Sequence, residues 1–214
     1  MPSETKARVG RPRAEDARGI EKRILVRAWA LFLEGGYGAL THDALARLER
    51  MSKQTIYARF PGKAALFRAT ARERLLAWRS ENRVPADSRF ADPVAAFIDL
   101  SLRATLTRDA AAMIRLLREE AVEMSDLRDL AWTQVQLAEE RLTALLDPLP
   151  GRRTDLDVPL AARAVLDLVM GHAFRQFGRL PEGEALEAHV VEWTPRLLAL
   201  ANHMIGRPAT TGVS

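Results

Sequence analysis

Three observations predict an all-α fold. Apolar residues recur at helical spacing through nearly the whole chain, no stretch of useful length alternates with the period of a strand, and capping residues, glycines and prolines punctuate the sequence about once per helix. Nine helices with short connections follow from this punctuation.

Ile20, Ile24, Ala28, Leu31 and Phe32 form the first apolar stripe, which stops at Gly35–Gly36. Thr41 caps a second helix, His42–Glu49, and Ser52 a third, Lys53–Arg59. Pro61–Gly62 breaks the chain. Lys63 opens a fourth helix, with Phe67, Ala71, Leu75 and Trp78 on one face, and residues 82–91 read as a connection. Asp92 followed by Pro93 is a cap with a first-turn proline, opening a fifth helix to about Thr107. A sixth covers about Asp109–Val122, and Ser125 caps a seventh to about Asp147. Pro159 opens an eighth that ends near Arg179, and the ninth spans about Ala185–Ile205. Pro195 falls inside that last helix. Proline removes a backbone donor and crowds the preceding turn, so a kink, or a fresh start at Thr194, is expected there.

At 214 residues, 48% of them hydrophobic, the chain is long enough for a substantial core. The charge is divided unevenly. Residues 1–83 carry 18 Lys/Arg against 9 Asp/Glu, a net of +9, while the remainder has a net of −5. Such a split points to nucleic acid or another polyanion at the front. No cysteine is present, which excludes disulfides and thiolate chemistry. No apolar run is long enough to span a bilayer, and the first residues, "MPSETKARVGRPRAEDARG", lack the hydrophobic core of a leader, so a cytoplasmic, nucleoid-associated protein with no membrane partner is expected. The organisation predicted is a flexible basic tail (1–18), a three-helix domain (19–65), a larger helical domain (66–206) and a C-terminal tail (207–214).

The front of the chain carries the chemistry. Two short helices joined by a tight bend and buttressed by a third make a helix-turn-helix, whose second helix enters the major groove. Leu45, Leu48, Met51, Ile56 and Phe60 supply an inward apolar face, leaving Ser52, Lys53, Gln54, Thr55, Tyr57 and Arg59 to point outward. Gln54 can donate and accept in a fork that suits an adenine edge. Thr55 can bond a base or touch a thymine methyl, and Lys53 can reach guanine or a phosphate. Tyr57 is a phosphate donor on a rigid arm, and Arg59 and Lys63 bring charge. Lys63 and Thr41 also stand in first helical turns, where unpaired N–H groups favour an anion. For Thr41 and Ser52 the competing role is plain capping, and for Tyr57 it is core packing. In the tail, "RVGRPR" resembles the Gly-Arg-Pro centre of an AT-hook. Arg11 and Arg13 would then enter a narrow minor groove, unless the tail binds through charge alone.

Catalysis has little to stand on. The four histidines are unpaired at metal-ligand spacing, no GxSxG, GxGxxG or phosphate loop occurs, and carboxylates sit mostly beside arginines on polar helical faces. No enzyme activity, metal or cofactor is therefore expected.

The stretch "ILVRAWALFLEGGYGALTHDALARLERMSKQTIYARFPGKAALF", Ile24–Phe67, resembles the N-terminal domain of the TetR/AcrR family of transcriptional regulators. The likeness lies in "ALFLEGGY" closing helix one, Thr41 opening helix two, and "SKQTIYARFPGKAALF" across helices three and four. It implies an Ω-shaped homodimer with Thr41, Gln54, Thr55, Tyr57, Arg59 and Lys63 facing DNA. One departure stands out: where the family commonly has a small residue and then glycine, this chain has Glu49 and Arg50. Glycine tolerates positive φ at the bend, whereas another residue there costs roughly 1 kcal/mol.

The resemblance further implies a dimer through helices eight and nine, for which Val165, Leu168, Val169, His172, Trp193, Leu197, Leu200 and Met204 are the candidates. It also implies an effector pocket among helices four to eight. Phe97, Met113, Leu117, Met124, Trp132, Met170 and Phe174 would line it, with Arg103, Glu120, Gln136 and His172 as polar contacts, although the same residues at helical spacing also suit a core. The expectation is a homodimeric regulator, a repressor on a palindromic operator in double-stranded DNA, relieved by a small molecule. The alternatives are a nucleoid-type binder with little sequence preference, or an effector-binding module whose DNA head has decayed.

Overall fold

Two adjoining glycines set the first boundary. Helix α1 (Ala14–Ala39) leaves helical geometry at Gly35 (φ −137°, ψ 16°) and Gly36 (φ 66°, ψ −164°), and its last residues form a separate short turn. The computed structural model describes residues 14–81, 90–119 and 125–208. Among them follow α2 (His42–Glu49), α3 (Lys53–Arg59), α4 (Lys63–Glu81), α5 (Pro93–Thr105), α6 (Arg108–Glu119), α7 (Ser125–Leu146), α8 (Val158–Gln176) and α9 (Glu184–Ile205), with no strand. The all-α expectation holds. The tail expected over residues 1–18 is helical from Ala14 onward.

By its contacts the chain divides into two compact units, Met1–Arg74 and Leu75–Ser214. The division falls within α4 rather than at residue 65. The first turns of α4 belong to the front unit because Leu66, Phe67 and Ala71 are buried, with Phe67 edge-on to Tyr37 at 4.8 Å and tilted against Phe32 at 5.6 Å. Trp29 stacks on Phe32 at 5.1 Å and extends this aromatic packing along α1.

In the second unit α5 is central, packing against α7, α8 and α9. Every residue from Val94 to Asp99 is buried, which explains why its sequence is apolar nearly all round. Asp92 caps α5, its Oδ1 accepting from Val94 N at 2.8 Å, as the Asp–Pro signal predicts. The same carboxylate holds Arg207 beyond the end of α9 at 2.9 Å. Arg103 on α5 donates to Asp99 at 2.9 Å and also to Glu187 of α9. Asp99 above all, then Glu187, holds this guanidinium still more firmly protonated than usual. Helix α9 is one segment with Pro195 inside it, so the expected restart at Thr194 does not occur. Val190, Leu197, Ala201 and Ile205 on one side of α9 are all in the core, and this packing carries the helix across the proline.

Between α8 and α9 two histidines meet: His172 Nε2 and His189 Nε2 are 2.9 Å apart, and the His172 ring lies 4.2 Å from that of Trp193. A hydrogen bond between two imidazole nitrogens needs one donor and one acceptor, so it is lost when both rings are cationic. Burial, then the neighbouring His189 and Arg175, lower the His172 pKa below 6.5, with Glu192 opposing. The folded state thus prefers neutral His172, and the unfolded chain binds its proton first as the pH falls. Stability from this group is present above the ordinary histidine range and is lost as pH drops through it. Thermal unfolding followed by circular dichroism should show melting temperature falling between pH 7.5 and 5. That slope should be shallower in His172→Gln.

Candidate nucleic-acid interface

Helix α2 buries His42, Leu45 and Ala46, and the Glu49 side chain is only 6% exposed. These four positions are spaced i, i+3, i+4, i+7, one helical face with a polar residue at each end. Leu48, expected to face inward, is 55% exposed because Glu49 takes the inner position instead. Glu49 is stabilised there by two arginines one turn apart on α1, Arg23 Nε at 2.9 Å and Arg27 Nε at 3.5 Å. A carboxylate so well covered needs such partners, since stranding it without them would be costly.

Arg50 occupies the left-handed region (φ 52°, ψ 40°), the one non-glycine positive φ among the described residues. The chain leaves α2 in a Schellman turn: Met51 N donates to Ala46 O at 2.9 Å and Arg50 N to Arg47 O at 3.4 Å. The bend is therefore made in the left-handed conformation without a glycine. Ser52 then caps α3, its Oγ accepting from Thr55 N at 3.1 Å and lying 2.7 Å from Thr55 Oγ1. Ile56 and Phe60 face the core.

His42 joins the two short helices. Its Nε2 donates to the Phe60 carbonyl at 2.8 Å, and its ring stacks on Tyr57 at 4.0 Å with 8° between planes. Tyr57 is 51% exposed, so it is a surface residue backed by a buried platform, not a core tyrosine. The signal for His42 in the sequence is a polar residue at the start of the inward face of α2.

The remaining predicted contacts are placed as follows. Thr41 caps α2, accepting from Ala44 N at 3.1 Å. Ser52, Lys53 and Gln54 are exposed, while Thr55 and Arg59 are half-buried. Arg59 donates back to Thr55 O at 3.3 Å. Lys53 pairs with Asp43 at 2.6 Å. Lys63 donates to Gly38 O at 3.4 Å, its ammonium 4.3 Å from the Tyr37 ring centroid. Arg11 and Arg13 lie outside the described residues.

The candidates in the helical unit fare less well. Val165, Val169 and Leu197 are in the core of their own protomer and cannot cover a partner; His172 is also buried. Leu168, Trp193 and Met204 are half-buried and Leu200 is exposed. An apolar helix in a multilayer bundle has more than one covered side, and periodicity does not say which. Among the pocket candidates, Phe97 and Met113 are buried, and Met170 accepts a weak bond from Thr105 at 3.8 Å. Trp132, Gln136 and Phe174 are exposed, so the structure does not bring them into the interior with the others. Arg103 is engaged by its two carboxylates. Glu120 and Met124, and the Leu117 side chain, lie outside what is described.

Residues 24–70 match the sequence profile of "Bacterial regulatory proteins, tetR family". The chain is 44% identical over 70 residues to the HTH-type transcriptional regulator YdeS of Bacillus subtilis (strain 168), a match covering 31% of this chain and 34% of YdeS, about a third of that relative's length. Among solved structures, a TetR-family regulator from Pectobacterium atrosepticum aligns with TM-score 0.62 at 19% identity, covering 92% of this chain and all of that one. Salmonella enterica GusR aligns at 0.60 and 20% identity, over 87% and 95%. A transcriptional regulator from Saccharomonospora viridis in complex with choline aligns at 0.61 and 20%, over 82% and 95%. At these identities the likeness is one of fold.

The left-handed arginine has a measurable consequence. Arg50→Gly should raise stability by up to about 1 kcal/mol, since glycine adopts this conformation without the side-chain clash. Urea unfolding should show a higher midpoint with an unchanged slope.

Proposed function

We propose that the chain, whose residues 24–70 match the tetR family of bacterial regulatory proteins, is a member of that family and a DNA-binding transcriptional regulator whose α3 reads the major groove of a palindromic operator. The observation that carries this reading is the two-sidedness of α3: Ile56 and Phe60 are buried, while Lys53, Gln54 and Tyr57 stand in solvent. Gln54 is the base-edge reader, Tyr57 on its histidine platform and Thr41 are phosphate contacts, and Lys63 adds charge without sequence preference.

The protein acts as a homodimer, because one short helix reads few base pairs and a palindrome needs two copies about one helical turn apart, roughly 34–36 Å. Leu160 on α8 and Val191 and Leu200 on α9, each more than half exposed, support a partner surface on these helices beside the half-buried Trp193 and Met204. The regulator is a repressor, and a small molecule bound in the helical unit favours a head spacing that no longer fits successive grooves. The choline held by one fold neighbour supports a small-molecule effector of this kind.

Footprinting on duplexes flanking the protein's own coding region, with and without candidate effectors, tests the reading. A regulator should prefer one palindrome over random duplex at least about 1000-fold. Absence of such preference would favour a nucleoid-type binder instead. Gln54→Ala should lose about 1–3 kcal/mol at one base position, whereas Lys63→Ala should weaken all sequences alike. An unchanged preferred site in Gln54→Ala would remove the base-contact role.

A further inference from the structure

Asp43 stands in the first turn of α2 and Lys53 in the first turn of α3. Lys53 Nζ donates to Asp43 Oδ2 at 2.6 Å, although the two side chains remain 60% and 55% exposed. An ion pair so open to water contributes little to stability, so stability gives little account of it. On a surface that meets a polyanion it is also a handicap. The carboxylate repels phosphates, and a lysine already neutralised releases fewer counterions. What a carboxylate can do in the major groove is accept a hydrogen bond from an exocyclic base amine, while an ammonium donates to guanine O6 and N7.

We propose that Asp43 and Lys53 act as one unit that reads a single G·C base pair in each operator half-site, Lys53 on the guanine acceptors and Asp43 on the cytosine amine. The inference rests on the reading of the front unit as a DNA-binding head. Three features favour it. The pair brings an ammonium donor and a carboxylate acceptor within 2.6 Å of each other on one exposed face. It lies beside Thr41 and Gln54 in sequence, within the surface assigned to DNA. An A·T pair in the same register would set the adenine N6 amine against the Lys53 ammonium and thymine O4 against the Asp43 carboxylate, donor against donor and acceptor against acceptor. Asp43 is thus a specificity residue: it lowers affinity for every duplex and recovers the loss only where a cytosine amine meets it.

Selection of preferred duplexes from a randomised library by the full-length protein, followed by titration of single substitutions, tests this. In the unmodified protein one G·C position per half-site should cost about tenfold when changed to A·T. D43N and D43A should both flatten that preference to within about twofold, bind random duplex more tightly and steepen the salt dependence by about one released ion as Lys53 turns to phosphate. K53A should lose the preference at the same position, and the D43A/K53A double variant should lose no more there than either single one. Because Asp43 sits in a first helical turn, D43N, which keeps its shape, secures the comparison if D43A folds poorly. Identical selected sites and penalties in D43N and the unmodified protein would overturn the proposal while leaving the regulator reading intact. Failure of the unmodified protein to select any site would overturn both.

Discussion

A helix of seven residues does not persist alone in water, because nucleation is costly and few bonds repay it. Helix α3, Lys53–Arg59, is such a helix, and it carries the exposed Lys53, Gln54 and Tyr57. Its place is fixed at both ends. At its start, the Schellman turn through Arg50 sets the direction in which the chain leaves α2, and Ser52 closes the first turn. At its finish, His42 reaches from α2 to the Phe60 carbonyl. Between them Ile56 is wholly buried. Tyr57 and Gln54 hold their positions only because these four attachments leave α3 a single orientation.

The first two helices are tied in a different manner. Glu49 is covered on one side by α2 and met from α1 by Arg23 and Arg27, which are themselves 61% exposed. The screening water around the arginines limits how much such a link contributes, but it fixes the rotation of α2 about its axis. That rotation places Asp43 and Leu48 in solvent and His42 inside. In the second unit the same division of labour recurs. Apolar packing around α5 supplies cohesion, and Arg103 and Arg207 set which side chains of α5 and α9 lie opposite one another.

Much of this was legible in the sequence because local rules and tertiary packing agree. Caps at Thr41, Ser52 and Asp92 and breaks at Gly35–Gly36 and Pro61–Gly62 place the element boundaries within a few residues. The outward residues of α3 are legible too, since a short helix with two buried apolar side chains has one solvent side. Reading failed where polarity and burial part company. His42 and Glu49 point inward because each has a dedicated partner, and partners distant in sequence leave no periodic trace, so apolar spacing alone turns Leu48 inward where the structure exposes it. It also failed where a helix has neighbours on more than one side, as with Val165, Val169 and Leu197, whose apolar character suits a protomer core and a partner surface equally. Pro195 shows packing overriding a strong local signal. A propensity of about 3 kcal/mol against proline is outweighed when the same helix buries several large side chains.

The two glycines that end α1 impose their own constraint on how this chain can vary. Any β-carbon at position 35 would lie 2.6 Å from the Ala39 Cβ, and at position 36 the space is open but the φ of 66° is hostile to side chains. One neighbour is held by crowding and the other by torsion, so no single compensating change elsewhere relieves both. The junction is therefore constrained in two independent ways, so a descendant of this protein could replace residue 35 by changing Ala39 as well but would have to alter the backbone path to replace residue 36.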